Sequence, residues 1–430
     1  MPGFYVRCLV GLCLGLLALP LWAFDLAWSD ERSLQTLDVG ESFTVAQFPL
    51  GGDRLGAVRF ERIAHYAPGA QVWVVDETGR HALDRSAQRF LVGHSVSGAA
   101  RLALMHDAES GRWLGSVYGE GGLQTLRGYP GEHGIRFLAL APETLMPDGV
   151  SIDSSCALDH FPELQVSEGP AEPGLAPATR GAALRLGVLA LDTDKEWLDR
   201  RFSNNTSAAT LWFEQLMLAT NLIFERDLNL RMQLGETVLR VGNDPYTVGG
   251  SSVTQARLEE FGSYWFNNFA SVDRTHAALV SGRSTSGTSA AGIAWLNSYC
   301  RTQTSGGSYS LSQLFWSDGV PLEPSARLFA HEIGHNLGSP HTHCYNPPID
   351  HCFNAEPGCY DGPVSCPAGG RGTLMSYCNF GAPSGAGCGQ VLSELAPRAA
   401  DLIDARIVAN TPACMVTEDI GIIFQDRFAE

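Results

Sequence analysis

Apolar residues along the chain change their spacing at about residue 180. Before that point, residues 43–46 and 71–75 are short β-rich runs, and Gly-, Asp- or Pro-containing turns interrupt the chain at short intervals. Residues 24–166 therefore predict a compact all-β unit. Residues 168–177 are a Pro/Gly/Ala stretch that supplies no face to pack, so residues 167–182 read as a linker. Beyond it, residues 184–191 form a nearly continuous apolar run, as a strand covered on both faces requires. Leu211, Leu216, Leu218, Leu222 and Ile223 share a broad helical face within residues 207–225. Residues 228–241 alternate like a strand, residues 253–269 return to helix, and residues 277–280 are a short apolar strand. Two further strands are predicted at 292–296 and 310–315, and then a helix begins near Pro324. Strand, helix, strand, helix, strand is an α/β (α+β) pattern, assigned to residues 183–415, with 416–430 as a C-terminal tail.

Composition narrows the function classes. The 29 Lys plus Arg stand against 46 Asp plus Glu, a formal charge of −17, which excludes a nucleic-acid binder driven by bulk charge. With 47 Gly and 23 Pro, the chain has too many turns for a helical rod. Arg7, an apolar run over residues 8–21, and then Trp22 and Ala23 follow the order of a secretory signal peptide, assigned to residues 1–23. That run is too short for a spanning helix, which needs about 20 residues, so no membrane association is expected once the signal is removed. The expected location is extracellular, or periplasmic, where thiols oxidise. Setting aside Cys8 and Cys13 leaves nine cysteines, so one lacks a partner within the chain. Cys156 stands alone, while Cys300, Cys344, Cys352, Cys359, Cys366, Cys378, Cys388 and Cys414 crowd the C-terminal third and are expected to form four bridges. Their partners are open among about 105 connectivities.

The densest chemistry lies in His331-Glu332-Ile333-Gly334-His335-Asn336-Leu337-Gly338-Ser339-Pro340-His341. Residues i and i+4 of a helix lie on one face a turn apart, so His331 and His335 can direct their imidazoles at one ion, with Glu332 held beside it. Gly338 permits a backbone conformation closed to other residues and Pro340 discourages further helix, so the chain can turn back and deliver His341. Three neutral imidazoles leave a fourth position for water, the open arrangement of a catalytic zinc site. Glu332 would act as general base for attack of a zinc-bound water on a polarised carbonyl, and then protonate the leaving amine. The alternative for these residues is a helix with surface histidines.

This pattern resembles the metzincin zinc endopeptidases, and the region of about residues 184–414 resembles their reprolysin (adamalysin) branch in a bacterial-type form. The resemblance implies a mixed, mostly parallel sheet, a zinc-binding active-site helix, one catalytic zinc ion and a preceding β-rich prodomain. It also implies that Met375, in Gly372-Thr373-Leu374-Met375-Ser376-Tyr377-Cys378, forms the floor beneath the three histidines without being a ligand. Gly292, Ile293 and Ala294 would then lie on an edge strand along which an extended peptide adds by backbone hydrogen bonds. Two departures stand out. Thr342 follows the third histidine where many reprolysins have Asp, and Met375-Ser376-Tyr377 is similar to the astacin and serralysin branches, in which the tyrosine can steady an oxyanion. Tyr377 is a candidate catalytic residue on that ground. His343 and His351 are expected to be solvated loop histidines.

Secreted proteases of this class are commonly held latent by a propeptide. A thiolate is a good zinc ligand, so Cys156, shortly before the linker and a candidate processing site at Arg180, is a candidate inhibitory ligand. The expected partner is a protein or peptide substrate, with the chain a monomer; no pattern assigns calcium. Two other readings are weighed. Gly93-His94-Ser95-Val96-Ser97 lacks the final glycine of a serine-hydrolase elbow. A secreted adhesin or binding module with a structural zinc would normally complete its tetrahedron with a fourth protein ligand.

Overall fold

The computed structural model describes residues 23–85, 87–140, 183–283, 292–314, 322–389, 391–410 and 414–418. The signal segment through Trp22, the 168–177 linker, Arg180 and Cys156 lie outside the described residues.

The N-terminal region contributes β1 (Ala23–Ala27), β2 (Ser42–Pro49), β3 (Leu55–Arg62), β4 (Val72–Asp76), β5 (Gly79–Leu83), β6 (Arg89–Ser95), β7 (Arg101–Asp107), β8 (Arg112–Gly119), β9 (Gly122–Pro130) and β10 (Gly134–Leu140). Eight of these form an antiparallel sheet in the order β1-β10-β9-β8-β7-β6-β3-β2. One face closes on Phe48, Phe60, Trp113 and Phe137, with the Phe48 ring 4.9 Å from both Phe60 and Phe137. Leu34 enters that core from a helix, α1 (Trp28–Thr36), which the apolar pattern does not reveal. Along β7 nearly every residue is buried, because the opposite face is covered too.

What covers it is the second half of the chain. Here β11 (Leu184–Thr193), α2 (Lys195–Phe202), α3 (Thr206–Leu228), β12 (Leu230–Arg240), α4 (Gln255–Phe269), β13 (His276–Ser281), β14 (Gly292–Ala294), β15 (Tyr309–Gln313), α5 (Leu322–Leu337), α6 (Pro397–Asn410) and β16 (Val416–Glu418) follow in turn. Phe90, Val92, Ala103, Met105 and Leu123 of the first sheet join Leu216, Met217 and Ile223 of α3 in one continuous core. The short α2 carries only Trp197 and Leu198 as buried residues, too few to register as a period, and α6 lies within the Cys-rich region where bridging dominates the reading.

The second sheet runs β14-β15-β13-β11-β12-β4-β5 and is mixed but mostly parallel, with antiparallel pairs at β14–β15, β4–β5 and β11–β16. Two placements differ from expectation. The 71–75 run, read as part of the all-β unit, adds instead to the second sheet, pairing Val72 to Val75 in parallel with Thr237 to Arg240. Pairing β12 on its otherwise free edge satisfies backbone groups that the N-terminal unit alone would not reach. Val416–Glu418, assigned to the tail, pairs antiparallel with Leu184, Arg185 and Leu186, so the folded domain extends past residue 415. All eight C-terminal cysteines are bridged, as Cys300–Cys414, Cys344–Cys359, Cys352–Cys378 and Cys366–Cys388. No helix among the described residues is long and apolar enough to cross a membrane.

Candidate metal centre

Every residue of α5 is buried, so its histidines are not surface histidines and their polar atoms must find partners inside the protein. Neighbouring segments hold the helix at its C-terminal end. The backbone N–H groups of Asn297 and Ser298 donate to the carbonyls of His335 and Asn336, each at 2.9 Å. Asn336 Nδ2 donates to the carbonyls of Trp295 (2.9 Å) and Tyr309 (3.0 Å), while its Oδ1 accepts from His276 Nδ1 at 2.9 Å. Burial pushes His276 down to about 4, which keeps it neutral and able to accept from the Ser310 hydroxyl through Nε2.

The helix stops at Gly338, whose φ of +124° only glycine adopts readily. Its N–H donates to the carbonyls of Gly334 (3.0 Å) and His335 (2.9 Å), and the Ser339 N–H to Gly334 (3.0 Å), closing the last turn. Arg406 of α6 donates to the Gly338 carbonyl and occupies the space a Cβ would need. The chain then reverses and brings His341 against the other two rings.

Ligating atoms of His331, His335 and His341 all lie within 4.8 Å of one another. Their outer nitrogens fix the tautomers. His331 Nδ1 meets the Leu374 carbonyl and His335 Nδ1 the Ser339 carbonyl, both at 2.7 Å, and His341 Nδ1 meets Glu356 Oε2 at 2.7 Å. These acceptors offer no hydrogen, so each Nδ1 carries the proton and each Nε2 presents a lone pair inward. Burial pushes His331 down to about 3 and pushes His335 well below the usual imidazole range. The Nε2 atoms of His331 and His335 face each other at 3.0 Å with no proton to share, close to the roughly 3.3 Å separating two imidazole ligands of one tetrahedral zinc. His341 Nε2 is buried without a hydrogen-bond partner among the described residues. Three converging lone pairs in a buried site repel unless a cation lies between them, so this donor set fits zinc.

The other expected site residues surround this cluster. Met375 is fully buried, and a Cβ on Gly334 would lie 2.8 Å from its Sδ; that glycine lets the methionine turn close against the helix. The Thr342 N–H donates to the Met375 carbonyl at 3.0 Å, tying the turn to the third histidine. The Tyr377 ring lies 4.0 Å from that of His341, centroid to centroid, and packs on Phe353 and Phe380. Gly292, Ile293 and Ala294 form β14, the end strand of the sheet. Gly292 lies directly against the Glu332 carboxyl group, leaving no room for a Cβ. Glu332 itself is fully buried.

Two loop residues depart from expectation. His343 is buried and not solvated, its Nε2 2.8 Å from Glu356 Oε2, because the loop closed by Cys344–Cys359 folds over it. Glu356 was not foreseen at all: it has no periodic relation to the histidines, and only its place within that Cys-bounded loop could have drawn notice. His351 is exposed, as expected, and stacks beside Tyr360 at 4.4 Å.

Comparison with known proteins locates the same region. The family model described as Reprolysin_5, Metallo-peptidase family M12, matches residues 185–384. No curated protein matches the chain. Among 83 matching solved chains is metalloproteinase-II from Bacteroides fragilis, at 12% identity and a TM-score of 0.41, covering 89% of this chain and 96% of that one.

Proposed function

We propose that this chain, whose residues 185–384 match the model of Metallo-peptidase family M12, is a bacterial-type reprolysin-like zinc metallopeptidase, an exported endopeptidase with His331, His335 and His341 as metal ligands and Glu332 as the catalytic residue. The observation that carries this reading is the inward convergence of three buried imidazole Nε2 atoms beside a buried glutamate. When held by those nitrogens, zinc would polarise the scissile carbonyl and acidify a water. The protein's own groups do the rest. The Nδ1–H bonds to Leu374, Ser339 and Glu356 keep the rings aimed inward, and the site's burial excludes competing solvent. Glu332 takes the proton from the attacking water and passes it to the departing amine nitrogen. Backbone groups on the outer edge of β14 bind the peptide as an added strand, with Gly292, Ile293 and Ala294 in register with it. Tyr377, beside His341, is proposed to donate to the developing oxyanion. The substrate is a protein or peptide.

Zinc analysis tests the core of this. The purified chain should hold one zinc, lose peptide cleavage on chelation and regain it with added zinc, while His335→Ala should hold none. Stoichiometric zinc in His335→Ala would overturn the site.

Export is supported by the four disulfides and by the signal-like opening of the sequence. The N-terminal unit is proposed as a prodomain, with Cys156 as an inhibitory ligand. Its packing bears on how activation proceeds. Beyond the shared core and the β4–β12 pairing, Tyr66 Oη donates to Glu214 at 2.7 Å, Trp73 Nε1 to Glu236 at 2.6 Å and Tyr118 Oη to Glu394 at 2.9 Å. Stripping this unit away would expose the apolar face of α3 and an unpaired edge of β12. Proteolysis between residues 141 and 182 should therefore leave two fragments that co-elute under native conditions and separate only in denaturant. On the latency reading, uncut Cys156→Ser should match the activity of the nicked parent. Fragments that part without denaturant would refute the first expectation, and an equally latent Cys156→Ser the second.

A further inference from the structure

We propose that Glu356 is the positioning residue of the third histidine: its carboxylate fixes the tautomer and orientation of His341 and ties His343 into the same array, so the metal centre is a chain of Glu356, His341 and ion and not three histidines alone. This rests on the metal-site reading above.

His331 and His335 need no help from elsewhere in the chain. They sit on one rigid helix, and their Nδ1–H groups are held by backbone carbonyls of the adjoining turn and the methionine segment. His341 differs, because it follows the helix stop and lies just before the short 3-10 turn Thr342–Cys344. Among the described residues no backbone carbonyl takes its Nδ1–H; Glu356 Oε2 does, at 2.7 Å. The same oxygen lies 2.8 Å from His343 Nε2, so two imidazole N–H groups converge on one carboxylate oxygen. A carboxylate in this position makes the opposite ring nitrogen more basic and stops the ring from rotating.

The fold supplies Glu356 by covalent means. Cys344–Cys359 closes the loop that carries it, joining the turn after His341 to a point three residues beyond the glutamate. Within that loop the Cys359 N–H donates to the Glu356 carbonyl at 3.2 Å, and the loop is tied to the segment before it by the Ile349 N–H to Thr342 at 2.9 Å and, just past its end, the Tyr360 N–H to His343 at 3.0 Å. The His341 and His343 rings lie nearly parallel, 9° apart with centroids at 5.5 Å, as two donors sharing one acceptor would. Although His341, His343, Cys344 and Glu356 form a cluster of metal-binding types, Cys344 is bridged and Glu356 is spent on the two histidines, so this is a support for the first ion and not a second site.

The test measures zinc affinity by chelator competition and the visible spectrum of the cobalt-substituted protein, using the full chain. Glu356→Ala should bind zinc about 10–100-fold more weakly than the parent. Glu356→Gln keeps an oxygen that accepts from one imidazole, and should recover part of that loss. Both should shift the cobalt bands, whereas the melting temperature of metal-free Glu356→Gln should match that of metal-free parent. Parental zinc affinity and cobalt bands in both variants would overturn the proposal, as would a loss of affinity in Glu356→Gln accompanied by an equal collapse of metal-free stability. The two readings fail differently: if the parent binds no zinc, the metal centre itself is wrong; if the parent binds zinc and His335→Ala does not, while both Glu356 variants match the parent, only the role of Glu356 is wrong.

Discussion

Glu332→Ala should lower kcat/KM for peptide cleavage by about 10²–10⁴-fold while zinc content stays at the parental level. Glu332 lies one residue from His331 on the buried helix but is not among the three converging imidazoles, so its removal should delete the proposed proton carrier and spare the proposed ligands. The measurement pairs metal analysis with steady-state kinetics on a zinc-loaded sample. It also separates a protease from a binding module with a structural zinc, because a module would cleave nothing before or after the change. Equal cleavage by parent and variant would remove the proposed proton path.

The second large effect is expected far from Glu332 in sequence. Gly292→Val should cost on the order of 10²-fold in kcat, because displacing a catalytic group by about 1 Å is enough for that loss. A Cβ at position 292 would run into the Glu332 carboxyl group, and valine adds two further methyls. The edge strand cannot retreat freely, since Gly292 pairs with Ser312, Ile293 with Leu311 and Ala294 with Ser310. The glutamate must therefore move. Zinc affinity should be nearly unchanged, because the histidines are anchored on other groups. Parental kcat in Gly292→Val, with zinc bound, would show that this glycine does not set the position of Glu332.

Both predictions concern a site whose parts differ in how far a reader of the sequence could see them. The His331–His335 spacing has one mechanical meaning on a helix, and Gly338 and Pro340 mark where that helix must stop; these are local rules, and the three rings do converge. Apart from the short α2, the strands and helices of residues 184–337 were similarly legible, because burial on one or both faces imposes a period on the residues themselves. Gly292 was visible as part of an edge strand, but its contact with Glu332 joins residues 40 positions apart and leaves no local mark. Glu356 was hidden for the same reason, as one acidic residue in a loop whose course depends on which cysteines pair.

By itself, then, the sequence determined the chemistry available: three imidazoles and a carboxylate delivered by a helix and a glycine turn, an α/β order around them, and eight cysteines able to bridge. Tertiary structure decided which set of four bridges, out of about 105 possible, those cysteines formed, that Val72–Asp76 and Gly79–Leu83 left the N-terminal sheet to extend the second one, and that Glu356 came to rest on His341 and His343. The physical reason is that periodicity, capping and turn propensity act over a few residues, whereas strand pairing, disulfide choice and burial of a carboxylate are settled by competition among segments far apart along the chain.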